Sequence, residues 1–182
     1  MFTKHEPLPV EAAVDLSSLI RSGPVRPSAA PQPLKWASLD DDSFERLLFV
    51  LLQRTDGYSD VNWLMRTRAS DRGRDIQSYR LLQDPVGPSR RLRVIVQCKH
   101  WQSRSVTLGD LSALLAKVSL WEPPKVDEIV VATSGRFTEQ AVTWSEAREA
   151  DRAVPRVVLL AELQIETMLS QHQGLIADFG LR

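Results

Sequence analysis

Apolar and polar positions along the chain follow two rhythms, and the switches between them predict its elements. Phe44, Leu47, Leu48 and Leu51 recur at i, i+3, i+4 and i+7, the stripe of a helix with one buried side. Asp40-Asp41-Asp42-Ser43 stands before it as an N-cap cluster. After Asp56-Gly57-Tyr58 the period shortens to two. Val61 to Thr67 predicts a first strand with Trp63 and Met65 on one face, and Ile76 to Leu82 a second. Pro85-Val86-Gly87-Pro88 then turns the chain into Arg91 to Trp101, where Leu92, Val94 and Val96 alternate with Arg93, Ile95 and Gln97. Two strands joined by a Pro/Gly turn predict a hairpin.

Downstream the alternation is between whole elements. Leu108, Leu111, Leu114, Leu115 and Val118 mark a helical stretch within Val106 to Val118, and Pro123-Pro124 breaks the chain. The aliphatic run in Asp127 to Thr133 predicts a buried strand. A helix from about Thr138 to Ala150, a strand at Arg156 to Leu160 and a helix at Ala161 to Ser170 follow. Strands alternating with helices predict an α/β domain, a central mixed β-sheet flanked by helices.

Composition narrows the class. The chain has 182 residues, 43% of them apolar and 25% charged, enough for one domain with a real core. It contains no run of eighteen apolar residues, so no membrane partner is expected, and its N-terminus lacks a signal-peptide core. Cys98 is the single cysteine, which excludes an intrachain disulfide and a cysteine-based zinc site. A reducing cytoplasm is the expected location. Six of the eleven prolines fall before residue 35, so residues 1–34 read as a Pro-rich tail or linker. Residues 35–170 hold the domain, and 171–182 read as a C-terminal tail without an element, one that could lead into a further domain.

The formal net charge is zero, but it is unevenly spread. From Arg66 to Arg104 there are ten Lys/Arg against three Asp/Glu, a local excess of +7. Arginine, with its planar fork of donors, suits phosphate, and a basic band suits a polyanion; a solvated hairpin face is the alternative.

Candidate chemistry sits in the same strip. Gln97 and Lys99 are two apart and share a face of their strand, with Cys98 on the other. The hairpin brings Asp75, at the start of one strand, to the end of the next. A carboxylate, an amide oxygen and an ammonium so converge, where an ion and a phosphate would use them; a strand end with a snorkelling lysine is the plain alternative.

Asp71-x-Gly73-x-Asp75, a hairpin, then Gln97-x-Lys99-x-Trp101 resembles the Mrr-type restriction endonucleases of the PD-(D/E)xK nuclease superfamily. Phe44-Glu45 opening a leucine-rich helix, and Thr133-Ser134-Gly135-Arg136-Phe137-Thr138 with Ala141, fall in the family's order. The resemblance covers roughly Trp36 to Leu169. Gln97 stands where many superfamily members have Asp or Glu, as is common in the Mrr branch.

The resemblance implies a restriction-endonuclease-like three-layer domain over 35–170 and a Mg²⁺-dependent DNA endonuclease, with Mn²⁺ able to substitute. It implies Asp75, Gln97, Lys99 and Glu45 as catalytic residues. Metal ligands would be Asp75, the Gln97 oxygen, the Cys98 main-chain carbonyl and Glu45, with Lys99 orienting the attacking water. Glu45 is equally explained by the helix dipole. Arg72, Arg74 and Arg104, with Ser134 and Thr138, are the expected DNA contacts; Thr138 is as well explained as an N-cap. Asp71 reads as a turn cap, His100 as turned away from Lys99, and Trp101 as core. Restriction or antiviral defence, as an effector domain, is the implied role. A homodimer or higher oligomer, and a sensor domain or partner protein outside this chain, would go with it. Two other readings stay open: a catalytically dead DNA-binding module, which Gln97 favours, and a junction-selective nuclease.

Overall fold

The first helix, α1 (Asp41–Gln53), forms where the leucine stripe predicts it. The Asp40 side chain accepts from the Ser43 backbone N–H at 2.7 Å, and Phe44, Leu47, Leu48, Leu51 and Leu52 are buried. Gly57, at φ +88°, takes the left-handed conformation needed to leave the helix and enter a strand. The computed structural model describes residues 33–64, 74–82 and 86–182. Within them, residues 34–182 form one compact unit.

Five strands make one sheet in sequence order: β1 (Tyr58–Trp63), β2 (Ile76–Leu82), β3 (Arg90–Lys99), β4 (Glu128–Thr133) and β5 (Arg156–Leu160). β1, β2 and β3 are antiparallel neighbours; β4 and β5 run parallel to β3. The hairpin expected from the Pro/Gly turn is β2–β3, paired from Ile76↔Val96 to Leu82↔Arg90. The first strand starts earlier than the sequence predicts, at Tyr58 rather than Val61. A bulge between Ser59 and Asn62, with Asp60 at φ +48°, interrupts the alternation there. Residues 65–67 of the expected strand lie outside the described residues.

The two parallel crossovers pass through α2 (Leu108–Leu115) and α3 (Glu139–Ala150). These cover one face of the sheet over Ile95, Ile129 and Val131. α1, α4 (Glu162–Ser170) and α5 (Gln173–Asp178) cover the other over Ile76, Val94, Val96, Val130 and Ala132. The result is a three-layer α/β domain with a mixed sheet. Because both faces are covered, β3 is buried from Arg93 through Cys98 rather than on alternate residues.

Residues 171–182 correct the expectation of a tail without an element. α5 forms there, Leu175, Ile176 and Leu181 are buried in the main core, and the Leu181 carbonyl accepts from the Lys35 N–H at 2.8 Å.

Several arginines of the basic strip are structural. Arg93 is 5% exposed and donates to the Gln77 side-chain oxygen and to the carbonyls of Trp121 and Pro124. Arg80 pairs with Glu128 at 2.9 Å, and Arg91 pairs with Asp60 and lies 3.8 Å from the Tyr79 ring centre. These three face the protein's own acceptors and do not form an open phosphate-binding band. Arg66, Arg68, Asp71, Arg72 and Gly73 lie outside the described residues.

Candidate active site

The parallel strands β3, β4 and β5 end at one rim of the sheet, and the polar residues of the β3 end gather there. Asp75 sits immediately before β2 and extends its ladder: its N–H donates to the Val96 carbonyl at 3.3 Å, and its own carbonyl accepts from Leu64 N–H at 2.9 Å. Backbone pairing on both sides fixes its position. Its carboxylate oxygen Oδ2 accepts from Gln97 Nε2 at 2.5 Å and from the Cys98 N–H at 2.6 Å. Asp75 and Gln97 are each 6% exposed.

Lys99 is the last residue of β3. Its carbonyl accepts from three donors: Thr133 Oγ1 at 2.8 Å, Trp101 N–H at 2.9 Å and Ser134 N–H at 3.3 Å. Thr133 Oγ1 in turn accepts from Gly135 N–H at 3.1 Å. A Cβ on Gly135 would lie 2.0 Å from the Trp101 carbonyl oxygen, so only glycine allows the loops after β3 and β4 to touch here. The Lys99 ammonium lies 5.1 Å from the Trp101 ring centre.

Glu45, in α1, accepts from Trp63 Nε1 at 3.3 Å. It lines a cavity of ≈ 220 Å³ together with Gln97, Cys98 and Lys99. Asp41, one turn earlier on α1, lines it too. Sequence reasoning took Asp41 only as part of a cap, although its i, i+4 spacing to Glu45 was the available signal. A smaller cavity of ≈ 130 Å³ reaches Gln97 and Lys99 from the α2 side and adds Asp110 and Lys117, which sequence reasoning did not single out.

Electrostatics join the same groups. Burial pushes the Cys98 thiol well above its ordinary value, the negative charges of Asp75 and Glu45 push it further, and Lys99 opposes them. The two carboxylates and the ammonium therefore act on one point. Cys98 itself packs in the α1-side core as a neutral thiol.

Among the described residues no group of three or more His, Cys, Asp or Glu side chains could hold a metal ion. The donor set is of another kind. A buried carboxylate, a side-chain amide and a main-chain carbonyl meet at one strand end, with the Glu45 carboxylate across the cavity. Gln97 turns its Nε2 to Asp75 here; with that amide rotated to present its oxygen, the set offers hard oxygen donors, suited to Mg²⁺ or Mn²⁺ with part of its water retained. The Cys98 N–H points to Asp75, and in a strand the carbonyl of the same residue points the same way. The residues present fit such an ion.

The expected DNA contacts fare differently. Arg104 is exposed at the rim, its guanidinium 3.4 Å from the Trp101 ring centre and 3.4 Å from Asp110. Arg74 is half-buried beside Asp75, and Arg72 lies outside the described residues. Thr138 is the N-cap of α3, accepting from Ala141 N–H at 3.3 Å. Ser134 is only 2% exposed. His100 points away from Lys99, with Nε2 3.0 Å from the Leu39 carbonyl and its ring stacked on Phe44. Trp101 is half-buried against the α2/α3-side core.

The family model Mrr_cat, described as a restriction endonuclease, matches residues 36–169. Two solved structures share the fold. One is "DNA modification-dependent restriction endonuclease AspBHI", with 13% identity and a TM-score of 0.51 over 76% of this chain and 33% of that one. The other is "MspJI Restriction Endonuclease in Complex with 27-mer Oligonucleotide", with 22% identity and a TM-score of 0.51 over 75% of this chain and 31% of that one. The chain therefore spans about a third of the length of these structures. No curated protein matches it.

Proposed function

This chain belongs to the restriction endonuclease family whose model covers residues 36–169, and from that premise we propose that it hydrolyses phosphodiester bonds of DNA with a divalent metal ion, Mg²⁺ in the first instance. The observation that carries the reading is the joining of Asp75 to both Gln97 and the Cys98 backbone, with Lys99 next on the strand. Asp75, the Gln97 amide oxygen, the Cys98 carbonyl and Glu45 would hold the ion. Once bound, it would polarise a phosphoryl oxygen and acidify a water molecule.

The chain's own side chains do the rest. Asp75 is held from both sides by backbone hydrogen bonds, so its carboxylate needs little reorganisation when charge develops nearby. Lys99, its backbone fixed by three donors, presents an ammonium to the attacking water and to the phosphoryl oxygens. Gln97 is neutral, so the site carries less negative charge than one with three carboxylates, and metal affinity should rise when a phosphate joins it.

We place this activity in restriction or antiviral defence, in the cytoplasm, with the domain acting as an effector. A sensor in another region or partner protein, and a second copy for the opposite strand, complete that proposal. The test is incubation of the purified chain with supercoiled plasmid and Mg²⁺, beside Lys99→Ala and Asp75→Ala. Nicking or linearisation by the wild type only supports the reading. Inactivity of all three, persisting when the chain is artificially clustered, supports a binding module instead.

A further inference from the structure

A third cavity opens at the same rim, outside the residues placed around the metal. It measures ≈ 530 Å³, and its walls include Lys35, Arg104, Ser134, Arg136 and Glu162. The loops after β3 and β4 and the start of α4 contribute to it, and open α/β sheets bind ligands outside the carboxyl ends of their strands. It adjoins the reaction centre, since the Ser134 N–H is bonded to the Lys99 carbonyl.

Three cationic side chains face one carboxylate there. Arg104 is partnered by Asp110. Lys35 and Arg136 are exposed and have no ion-pair partner among the described residues. Their backbones are bonded to Leu181 and Val106, but unlike those of Arg80 and Arg91 their side chains form no ion pair among the described residues. A further observation points to a ligand: the Ser134 hydroxyl, on a residue 2% exposed, has no hydrogen-bond partner among the described residues. Buried hydroxyls are nearly always satisfied, and Ser134 lines this cleft.

We propose that this cleft is a phosphodiester subsite. It takes a backbone phosphate of the strand being cut, with Lys35 and Arg136 as its charges and the Ser134 hydroxyl as a neutral donor. The inference rests on the nuclease reading above. Ser134 and Arg136 follow β4, one strand spacing of roughly 5 Å from β3, so the phosphate held there is a near neighbour of the bond at Lys99.

The experiment is equilibrium binding of a labelled DNA duplex without metal, measured over a series of KCl concentrations. Wild type is compared with Lys35→Ala/Arg136→Ala, with Ser134→Ala, and with Lys125→Ala, an exposed lysine at the opposite rim. Thermal melting checks that each is folded. The double variant should bind several-fold more weakly, with a salt slope shallower by about one. Ser134→Ala should weaken binding with the slope unchanged, and Lys125→Ala should match wild type. A double variant that binds like wild type overturns the subsite and leaves the nuclease reading standing. Wild type that binds no duplex overturns the subsite, and the plasmid assay with Mg²⁺ then decides the nuclease reading separately.

Discussion

Asp75 and Gln97, 22 positions apart in the chain, share one hydrogen bond of 2.5 Å, and the same carboxylate oxygen takes the next backbone N–H at Cys98. The two roles of Asp75, holding the strand ends together and supplying charge, can be separated. Asp75→Asn keeps an acceptor for the Cys98 N–H and removes the charge. It should melt near wild type and lose DNA cleavage by at least about 10²-fold. Asp75→Ala leaves the Cys98 and Gln97 donors unpaired in a buried site, costing about 1–3 kcal/mol as well. Plasmid cleavage beside thermal melting distinguishes them; equal activity of Asp75→Asn and wild type would remove Asp75 from the reaction.

Thr133 is the hidden support of Lys99. It is fully buried, donates to the Lys99 carbonyl and accepts from Gly135 N–H. Thr133→Val keeps the shape and loses both bonds. A stability loss of about 1–3 kcal/mol is expected. In a chain of this size that is roughly 2–4 °C of melting temperature per kcal/mol. Cleavage should fall further than that loss explains, because Lys99 loses one of its three fixed donors. Unchanged specific activity in the folded fraction would show that this hydrogen bond does not position Lys99.

At Gly135 the geometry allows no side chain. Its Cβ would meet a backbone oxygen at 2.0 Å, which cannot swing aside as a side chain could. Gly135→Ala should destabilise by about 1–3 kcal/mol or more through forced backbone movement. Gly109→Ala, where the nearest atom to a Cβ is a threonine hydroxyl at 3.6 Å, is the control and should change stability little. Equal urea midpoints for the two variants would contradict this account.

Cys98 gives a pH dependence with a definite sign. Burial holds the folded thiol well above its ordinary value, so above about pH 8.5 the unfolded chain loses a proton that the folded chain keeps. Stability contributed by this group is complete below that pH and falls above it, by at most about 1.4 kcal/mol per pH unit, until the folded thiol also ionises. Urea midpoints between pH 8 and 9.5 should drop more for wild type than for Cys98→Ala. Native protein should also react slowly with a thiol reagent and quickly when unfolded.

Much of this arrangement was legible in the chain, for local reasons. The α1 stripe fixed Phe44 and Leu47 as core, and the Pro/Gly turn set a hairpin that puts Asp75 opposite Gln97. Strand parity separated Gln97 and Lys99 from Cys98. What escaped depended on distant partners. Arg93 looks like a phosphate ligand until the Trp121 and Pro124 carbonyls arrive from the crossover after α2. Arg80 looks free until Glu128 is brought across the sheet. The six-residue α5 is too short to show a period, and burial of Leu175 and Ile176 fixes it. Asp60 at positive φ shifted the start of β1 without any local apolar signal.

Glu128 bears on how the domain can change. It is almost fully buried at the start of β4 and reaches Arg80 on β2 and Arg156 on β5, so one carboxylate rivets strands on either side of its own. That rivet sits at the rim opposite Lys99. The molecule thus has a mechanical end and a chemical end, joined by a rigid sheet. Exposed side chains at the chemical end, such as Arg104 and Arg136, can be exchanged without touching the fastening at the other. Side-chain chemistry at one rim can therefore change while the fastening at the other stays put.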